Sequence, residues 1–332
     1  MSSKILLTGA TSLIGRSIVE QLEQRGDTVT CFQRTNDGRP STITGDVRDA
    51  SQVLSAVKGH DAVIHLAALV SPKPAFHDAL AVNVDGAVNV ARAARDCGRL
   101  VHISSPSVAF HHEGSIGAAA LPPTYRGRDA YTHTKALGEE AVLRVHGLNT
   151  IVIRPHLVYG PSDEQLIGRL LDRALSGTLA IVGSGTALID TTYVDDAAAG
   201  ILAALDRTAD APQLGGRAFV VSGGDPRPIT EVFSAILDAF DVQPRLRHLP
   251  VGVARKLGQA CDRWWRGGEP PLTEFAVEQL SLAHSFDLRK TRDELLFTPQ
   301  WSFARSMDAL RCFGQSQAGQ EFLDRRRHRS RG

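Results

Sequence analysis

The chain has 332 residues, enough for a sizeable core in one large or two smaller domains. A hydrophobic fraction of 42% and a charged fraction of 22% are ordinary globular values, and a formal net charge of +1 leaves no bulk charge to draw nucleic acid or an acidic partner. The four cysteines, Cys31, Cys97, Cys261 and Cys312, have no metal-like spacing, and no uncharged apolar run is long enough to cross a bilayer. With no signal peptide before the first predicted strand, a cytoplasmic protein with reduced thiols and no metal is expected.

Lys4–Thr8 is apolar and strand-like, and Ser12–Arg25 carries Leu13, Ile14, Ile18, Val19 and Leu22 at helical spacing. Thr28–Gln33 reads as a second strand, Asp61–Leu66 as a third and Arg99–Ser104 as a fourth. Ala75–Cys97 is predicted to be mostly helical. A helix over Asp129–His146 and a strand over Asn149–Arg154 follow. Strands alternating with helices of this length predict an α/β fold of Rossmann type: a doubly wound parallel sheet covered on both faces.

Past Pro155 the rhythm shortens, with Gly160-Pro161, Gly183-Ser184-Gly185 and Gly223-Gly224 as punctuation. Helices are predicted over Asp195–Leu205, Ile229–Phe240, Val251–Trp265 and Thr273–Ala283. The expected division is a dinucleotide-binding domain over 1–155, completed by later strands, and a smaller substrate-binding lobe over 156–322. Residues 323–332, with Arg325-Arg326-Arg327-His328-Arg329, read as a disordered basic tail; contact with anionic lipid is the alternative.

Thr8-Gly9-Ala10-Thr11-Ser12-Leu13-Ile14-Gly15 joins the first strand to the first helix. A helix N-terminus offers unpaired N–H groups and a partial positive charge to a pyrophosphate, and glycines let the backbone approach it closely. A Gly-rich turn alone says little; strand before and helix after give this one its context. Its middle glycine is replaced by Ser12, whose hydroxyl is a candidate phosphate donor. The second strand is followed by Arg34 rather than an acidic residue, which favours the 2′-phosphate of NADP(H) over the ribose diol of NAD(H), the other cofactor considered.

Tyr131-Thr132-His133-Thr134-Lys135 places a phenol and an ammonium four residues apart on one helix face. With four tyrosines and six lysines in the chain, such a pair arises by chance about 0.07 times. A lysine beside a tyrosine is expected to lower the phenol pKa toward neutrality, suiting it to acid–base work at an alcohol oxygen. Val101-His102-Ile103-Ser104-Ser105 runs off a strand end, where a hydroxyl would polarise a substrate carbonyl; Ser105 is the preferred residue.

These motifs resemble the extended short-chain dehydrogenases/reductases. Ser105-Pro106-Ser107-Val108 is similar to the family's catalytic Ser/Thr segment, and Tyr131 and Lys135 match its catalytic pair. Gly45-Asp46-Val47 resembles the adenine-side stretch, and His65-Leu66-Ala67-Ala68 the loop over the phosphates and ribose. Asn83-Val84-Asp85-Gly86 resembles a helix segment packed near the site. Arg154-Pro155-His156-Leu157-Val158-Tyr159-Gly160-Pro161 resembles the stretch that lines the nicotinamide, and Tyr193-Val194-Asp195-Asp196 a later structural marker. The resemblance thus implies cofactor contacts from Gly9, Thr11–Gly15, Arg34, Asp46, Val47, Leu66–Ala68, Asn83, Tyr131, Lys135, Pro155, Leu157 and Val158.

Within that family the chain looks most like the 3β-hydroxysteroid dehydrogenase branch, and in Pro270–Leu280 and Ser104–Val108 most like 2-alkyl-3-oxoalkanoate reductases of bacterial olefin biosynthesis. That resemblance implies NADPH-dependent reduction of a β-keto group on a long hydrophobic substrate, with Tyr131 as general acid. Ser71, Lys73, Ser107, His111 and His156 are the substrate-side candidates; Arg126 and Arg128 would also suit a carboxylate. Alternatives are a 3β-hydroxysteroid or sterol dehydrogenase, a nucleotide-sugar epimerase or dehydratase, and a non-catalytic dinucleotide sensor. Family members often dimerise through helices such as Ala75–Cys97 and Asp129–His146. The segment Val251–Trp265, basic and ending in Trp264-Trp265, reads as a docked amphipathic helix, the rim of a greasy channel or a membrane-surface element.

Overall fold

The computed structural model describes residues 2–71, 74–109, 114–124, 129–244, 246–266 and 270–331. Seven parallel strands form its main sheet: β1 (Lys4–Thr8), β2 (Thr28–Gln33), β3 (Thr42–Thr44), β4 (Ala62–His65), β5 (Arg99–Ile103), β6 (Asn149–Pro155) and β7 (Arg217–Val221). Their spatial order is β7-β6-β5-β4-β1-β2-β3. The chain therefore runs outward from β1, then returns to start again at β4. In parallel sheets the crevice at such a reversal, past the strand C-termini, is where dinucleotides bind.

Strand residues alternate between two covered faces. Ile5 and Leu7 pack with Ile18, Val19 and Leu22 of helix α1 (Leu13–Gln24) and with Ile201 and Leu205 of the long helix Val194–Asp210. Leu6, Phe32 and Val63 face the other way, onto Val53, Val90 and Val142. Continuous burial on both faces explains why these strands read as apolar runs instead of alternating ones. Helix α2 (Ala130–Leu143) is capped by Asp129, which accepts from the Thr132 amide at 2.8 Å.

The segment expected as one helix over Ala75–Cys97 is broken into Phe76–Leu80, a π-turn over Ala81–Gly86, Ala87–Ala93 and a final tight turn. Gly138 of α2 packs on the Asn83 carbonyl within that wide turn, so closely that any Cβ there would clash.

Three short strands beyond Pro155 and one before it, Ser115–Ala118, form a second sheet in the order Arg227–Pro228, Leu188–Ile189, His284–Phe286, Ser115–Ala118. A separate core of Tyr159, Leu171, Ile236, Leu310 and Phe322 holds this lobe together. The basic tail departs from expectation. A helix runs over Gln317–Arg331, with Phe322 and Leu323 buried. Arg326 is 1% exposed, pairs with Glu164, approaches Asp172 at 3.6 Å and lies over the Phe322 ring. Its neighbours Arg325 and Arg327 are exposed, as a helix requires when one arginine in three turns inward. Among the described residues, no helix is long and apolar enough to cross a membrane.

Candidate active site

The turn after β1 is built to admit a phosphate group. Gly9 has φ +79°, and a Cβ on it would lie 2.8 Å from the Ala67 amide nitrogen; a Cβ on Gly15 would drive into the Gly9 carbonyl. Both positions demand glycine. Ser12, in the place of the middle glycine, is the N-cap of α1: its hydroxyl donates to Gly9 O at 2.8 Å and accepts from the Gly15 amide at 3.1 Å. That proton goes to the turn's own carbonyl, in the arrangement of a helix cap. Thr11 is exposed, and Leu13 and Ile14 are partly so, in the first turn, where helix N–H groups lack intrahelical acceptors. Arg16 donates to Thr11 O at 2.8 Å from that same first turn. A cation there opposes the helix dipole unless an anion lies nearby, a signal readable in the sequence that had been passed over.

Thr8 ties the turn to the loop after β4. Its hydroxyl accepts from the Leu66 and Ala67 amides at 3.2 and 3.1 Å, so its own proton goes to His65 Nδ1 at 2.8 Å. His65 is paired in register with His102 on β5, and the two buried rings stack at 5.4 Å. Burial, with Lys135 nearby, holds His65 at about 3 and His102 well below the usual imidazole range. Both are neutral near pH 7.

Arg34 is exposed just past β2. Asp46 is gripped by Arg48, with Nε 3.0 Å and NH2 2.6 Å from its Oδ2, which depresses its pKa. Val47 turns its side chain into the core beneath Gly86. Asn83 is a clamp: it accepts from the Leu69 amide at 2.7 Å and donates to Leu69 O at 3.3 Å and Thr134 Oγ1 at 3.0 Å. It fastens the loop after β4 to α2. Ala68 lies within that loop, and Ser71 is partly buried at its described end; Lys73, His111, His112, Arg126 and Arg128 lie outside the described residues.

Tyr131, Lys135 and Glu139 fall at successive fourth positions along α2. Ser105, past the end of β5, is hydrogen-bonded to Ser107 Oγ at 2.8 Å. Burial pushes Tyr131 up to about 12, and the nearby Ser105 hydroxyl pulls the other way. Lys135 is buried and donates to Ile103 O at 2.7 Å. Burial takes it down to about 8, against the pull of Glu139 upward. The expectation that Lys135 draws Tyr131 toward neutrality is corrected: the ammonium is bonded to a strand-end carbonyl, and desolvation dominates the phenol. Near pH 7 the pair is a neutral phenol beside an ammonium, poised to give a proton.

A second buried partner, missed in the sequence, holds this helix face. Arg154 of β6 donates to Glu139 from Nε at 3.0 Å and to Leu121 O at 2.6 Å. After Pro155, Leu157 takes a left-handed φ of +39°, a conformation costly for a branched residue. The strand Val158–Tyr159 then pairs with Thr192–Tyr193. His156 is buried, bonded through Nδ1 to Asp190 O and set edge-on to Phe286 at 4.8 Å. Burial holds it at about 3, so near pH 7 it is a neutral ring.

The glycine cradle at a sheet reversal and the Ser105–Tyr131–Lys135 group define a nicotinamide-dependent oxidoreductase, and the chain belongs to the NAD dependent epimerase/dehydratase family, matched over residues 5–221. It is 34% identical over 325 residues to a 2-alkyl-3-oxoalkanoate reductase of Stenotrophomonas maltophilia, covering 93% of this chain and 98% of the relative. It is 28% identical over 331 residues to a 3-beta-hydroxysteroid dehydrogenase of Mycolicibacterium neoaurum, covering 92% and 89%. A short-chain dehydrogenase/reductase superfamily protein from Agrobacterium tumefaciens, solved with bound NAD, shares the fold with a TM-score of 0.73 at 22% identity, covering 96% of this chain and 99% of that one.

Proposed function

We propose that this enzyme reduces the ketone of a 2-alkyl-3-oxo acid with long alkyl chains to the secondary alcohol, with NADPH as its preferred donor. The observation that carries the direction of the chemistry is the phenol of Tyr131, held protonated at about 12 by burial, one helical turn from the buried ammonium of Lys135. The substrate class rests on the likeness to the reductase from S. maltophilia, which spans almost all of both chains.

The nicotinamide dinucleotide supplies the hydride when bound. The Gly9–Gly15 turn, with Arg16, would hold its pyrophosphate, and Leu66–Ala68 the adjoining ribose. Arg34, exposed where NAD-selective folds place an acid, would pair with the 2′-phosphate of NADPH. Ser105 donates to the ketone oxygen and polarises it. Tyr131 delivers its proton to that oxygen as charge builds there. Lys135, still charged near neutrality, steadies the phenolate left behind, while its bond to Ile103 O keeps it at the end of β5. Glu139 and Arg154 hold the helix face that carries both groups.

The test is NADPH consumption by the purified protein with a freshly prepared 2-alkyl-3-keto acid, a 3-ketosteroid and UDP-glucose in parallel. Oxidation of NADPH with the keto acid, faster than with NADH, is the expected result. Turnover of the steroid in preference to the keto acid would transfer the enzyme to the hydroxysteroid reading.

A further inference from the structure

Helix α3 (Val251–Trp264) is apolar on two sides. One side carries Ala254 and Gly258, both buried, and closes on the helix Glu274–Ser281. A Cβ on Gly258 would lie 2.8 Å from the Glu274 amide nitrogen, and Ala254 packs with Val182 and Val277. This side already accounts for how the helix is held to the protein.

The other side has no such role. Val253, Leu257 and Trp264 are 48%, 49% and 67% exposed. With the partly exposed Ala260 they fall at i, i+4, i+7 and i+11, one continuous stripe along the helix. Lys256 and Arg263 stand along one edge of it, with the Arg263 guanidinium 5.7 Å from the Trp264 ring. Trp265 and Arg266, both exposed, continue the patch past the helix end. Four cations and one acid lie between Arg255 and Arg266. The acid, Asp262, accepts the Glu274 amide at 2.9 Å, and Gln259 reaches Glu274 Oε1 at 2.8 Å.

We propose that this stripe docks the enzyme on an anionic lipid surface, with Val253, Leu257 and Trp264 entering the headgroup boundary and Lys256 and Arg263 pairing with lipid phosphates. An apolar face edged by cations and ended by tryptophans matches the chemistry of that boundary. A second copy of the chain fits less well. An antiparallel two-fold pair through the stripe would set the Lys256 and Arg263 edges of both helices against each other.

Flotation of the whole enzyme with vesicles of equal phosphatidylglycerol and phosphatidylcholine, against vesicles of phosphatidylcholine alone, tests the proposal. Flotation with the anionic vesicles, release by high salt, and quenching of Trp264 by brominated lipid are expected. The pairs Leu257→Ser with Trp264→Ser and Lys256→Glu with Arg263→Glu should each weaken partitioning by about tenfold or more, at an unchanged melting temperature. Protein left unbound by anionic vesicles would overturn the proposal. So would undiminished binding of the charge-reversed pair, or a dimer lost in the Leu257→Ser, Trp264→Ser variant without any lipid binding.

Discussion

Arg154 and Glu139 form an ion pair at 3.0 Å in which both side chains are 1% exposed. The pair joins the face of α2 that carries Tyr131 and Lys135 to the end of β6, next to the residues that lead into Leu157. Two charges so deeply placed hold position only together. Glu139→Ala should leave a buried guanidinium uncompensated and cost about 3–5 kcal/mol in urea denaturation. Adding Arg154→Met to that variant should return much of the loss. A single variant that stays within about 1 kcal/mol of the parent would show that the pair contributes little.

Tyr131→Phe keeps the ring and removes the proton that reaches the substrate. Turnover should fall roughly 10²- to 10⁴-fold, with NADPH affinity by fluorescence titration nearly unchanged. Ser105→Ala should lower turnover less and remove the nearby hydroxyl that draws the phenol pKa down. Near-normal turnover of the phenylalanine variant would remove Tyr131 as the acid.

Four buried histidines predict an acid-labile fold. His65 and His156 titrate at about 3, His284 at about 4 and His102 well below its usual range, all because burial disfavours the imidazolium. The unfolded chain takes up these protons near 6.5, the ordinary imidazole value, so it binds more protons than the folded one below that pH. Stability from this source is complete above about pH 6.5 and is lost as pH falls toward 3. Each histidine contributes a slope of up to about 1.4 kcal/mol per pH unit in that window. Urea midpoints at pH 7 and pH 5 measure it; equal midpoints would contradict the burial of these rings as neutral species.

Arg34→Asp should exchange cofactor preference. Loss of a charge-assisted contact with the 2′-phosphate, plus repulsion from the new carboxylate, should weaken NADPH by about tenfold or more and spare NADH. Paired dissociation constants for the two cofactors decide the matter, and an unchanged ratio would free Arg34 from the role.

Ser12→Ala should behave as loss of a helix cap. A cost of about 1 kcal/mol in unfolding free energy, milder for Ser12→Gly, is expected. Cofactor affinity should shift little, because the hydroxyl proton already goes to Gly9 O. A large loss of affinity without loss of stability would restore the phosphate contact to Ser12.

β1, β2 and both capped helices of the site were legible because their periods and caps are local signals: Lys4–Thr8 and Thr28–Gln33 fall where the pattern predicts them. The three-residue edge strand Thr42–Thr44, partly exposed along its length, gives no such pattern. The π-turn at Ala81–Gly86 was hidden because its extra width answers to Gly138 on another helix. Tyr131, Lys135 and Ser105 could be named from spacing, but not their bonds. Which acceptor Lys135 takes depends on the end of β5, 32 residues away. The stacking of His65 on His102 likewise depends on strand register, which neither strand reveals alone.

Buried Arg326 marks the phase of the last helix. Only Arg326 of the three consecutive arginines can enter the notch above Gly168, where any larger residue would clash with its guanidinium. Deleting one residue between Phe322 and Arg326 would turn the following helix by about 100° and bring Arg327 to that notch, whereas deleting two would bring His328. The run Arg325-Arg326-Arg327 thus gives this helix slack in its register: a slip of one residue either way still offers a guanidinium to Glu164 and Asp172.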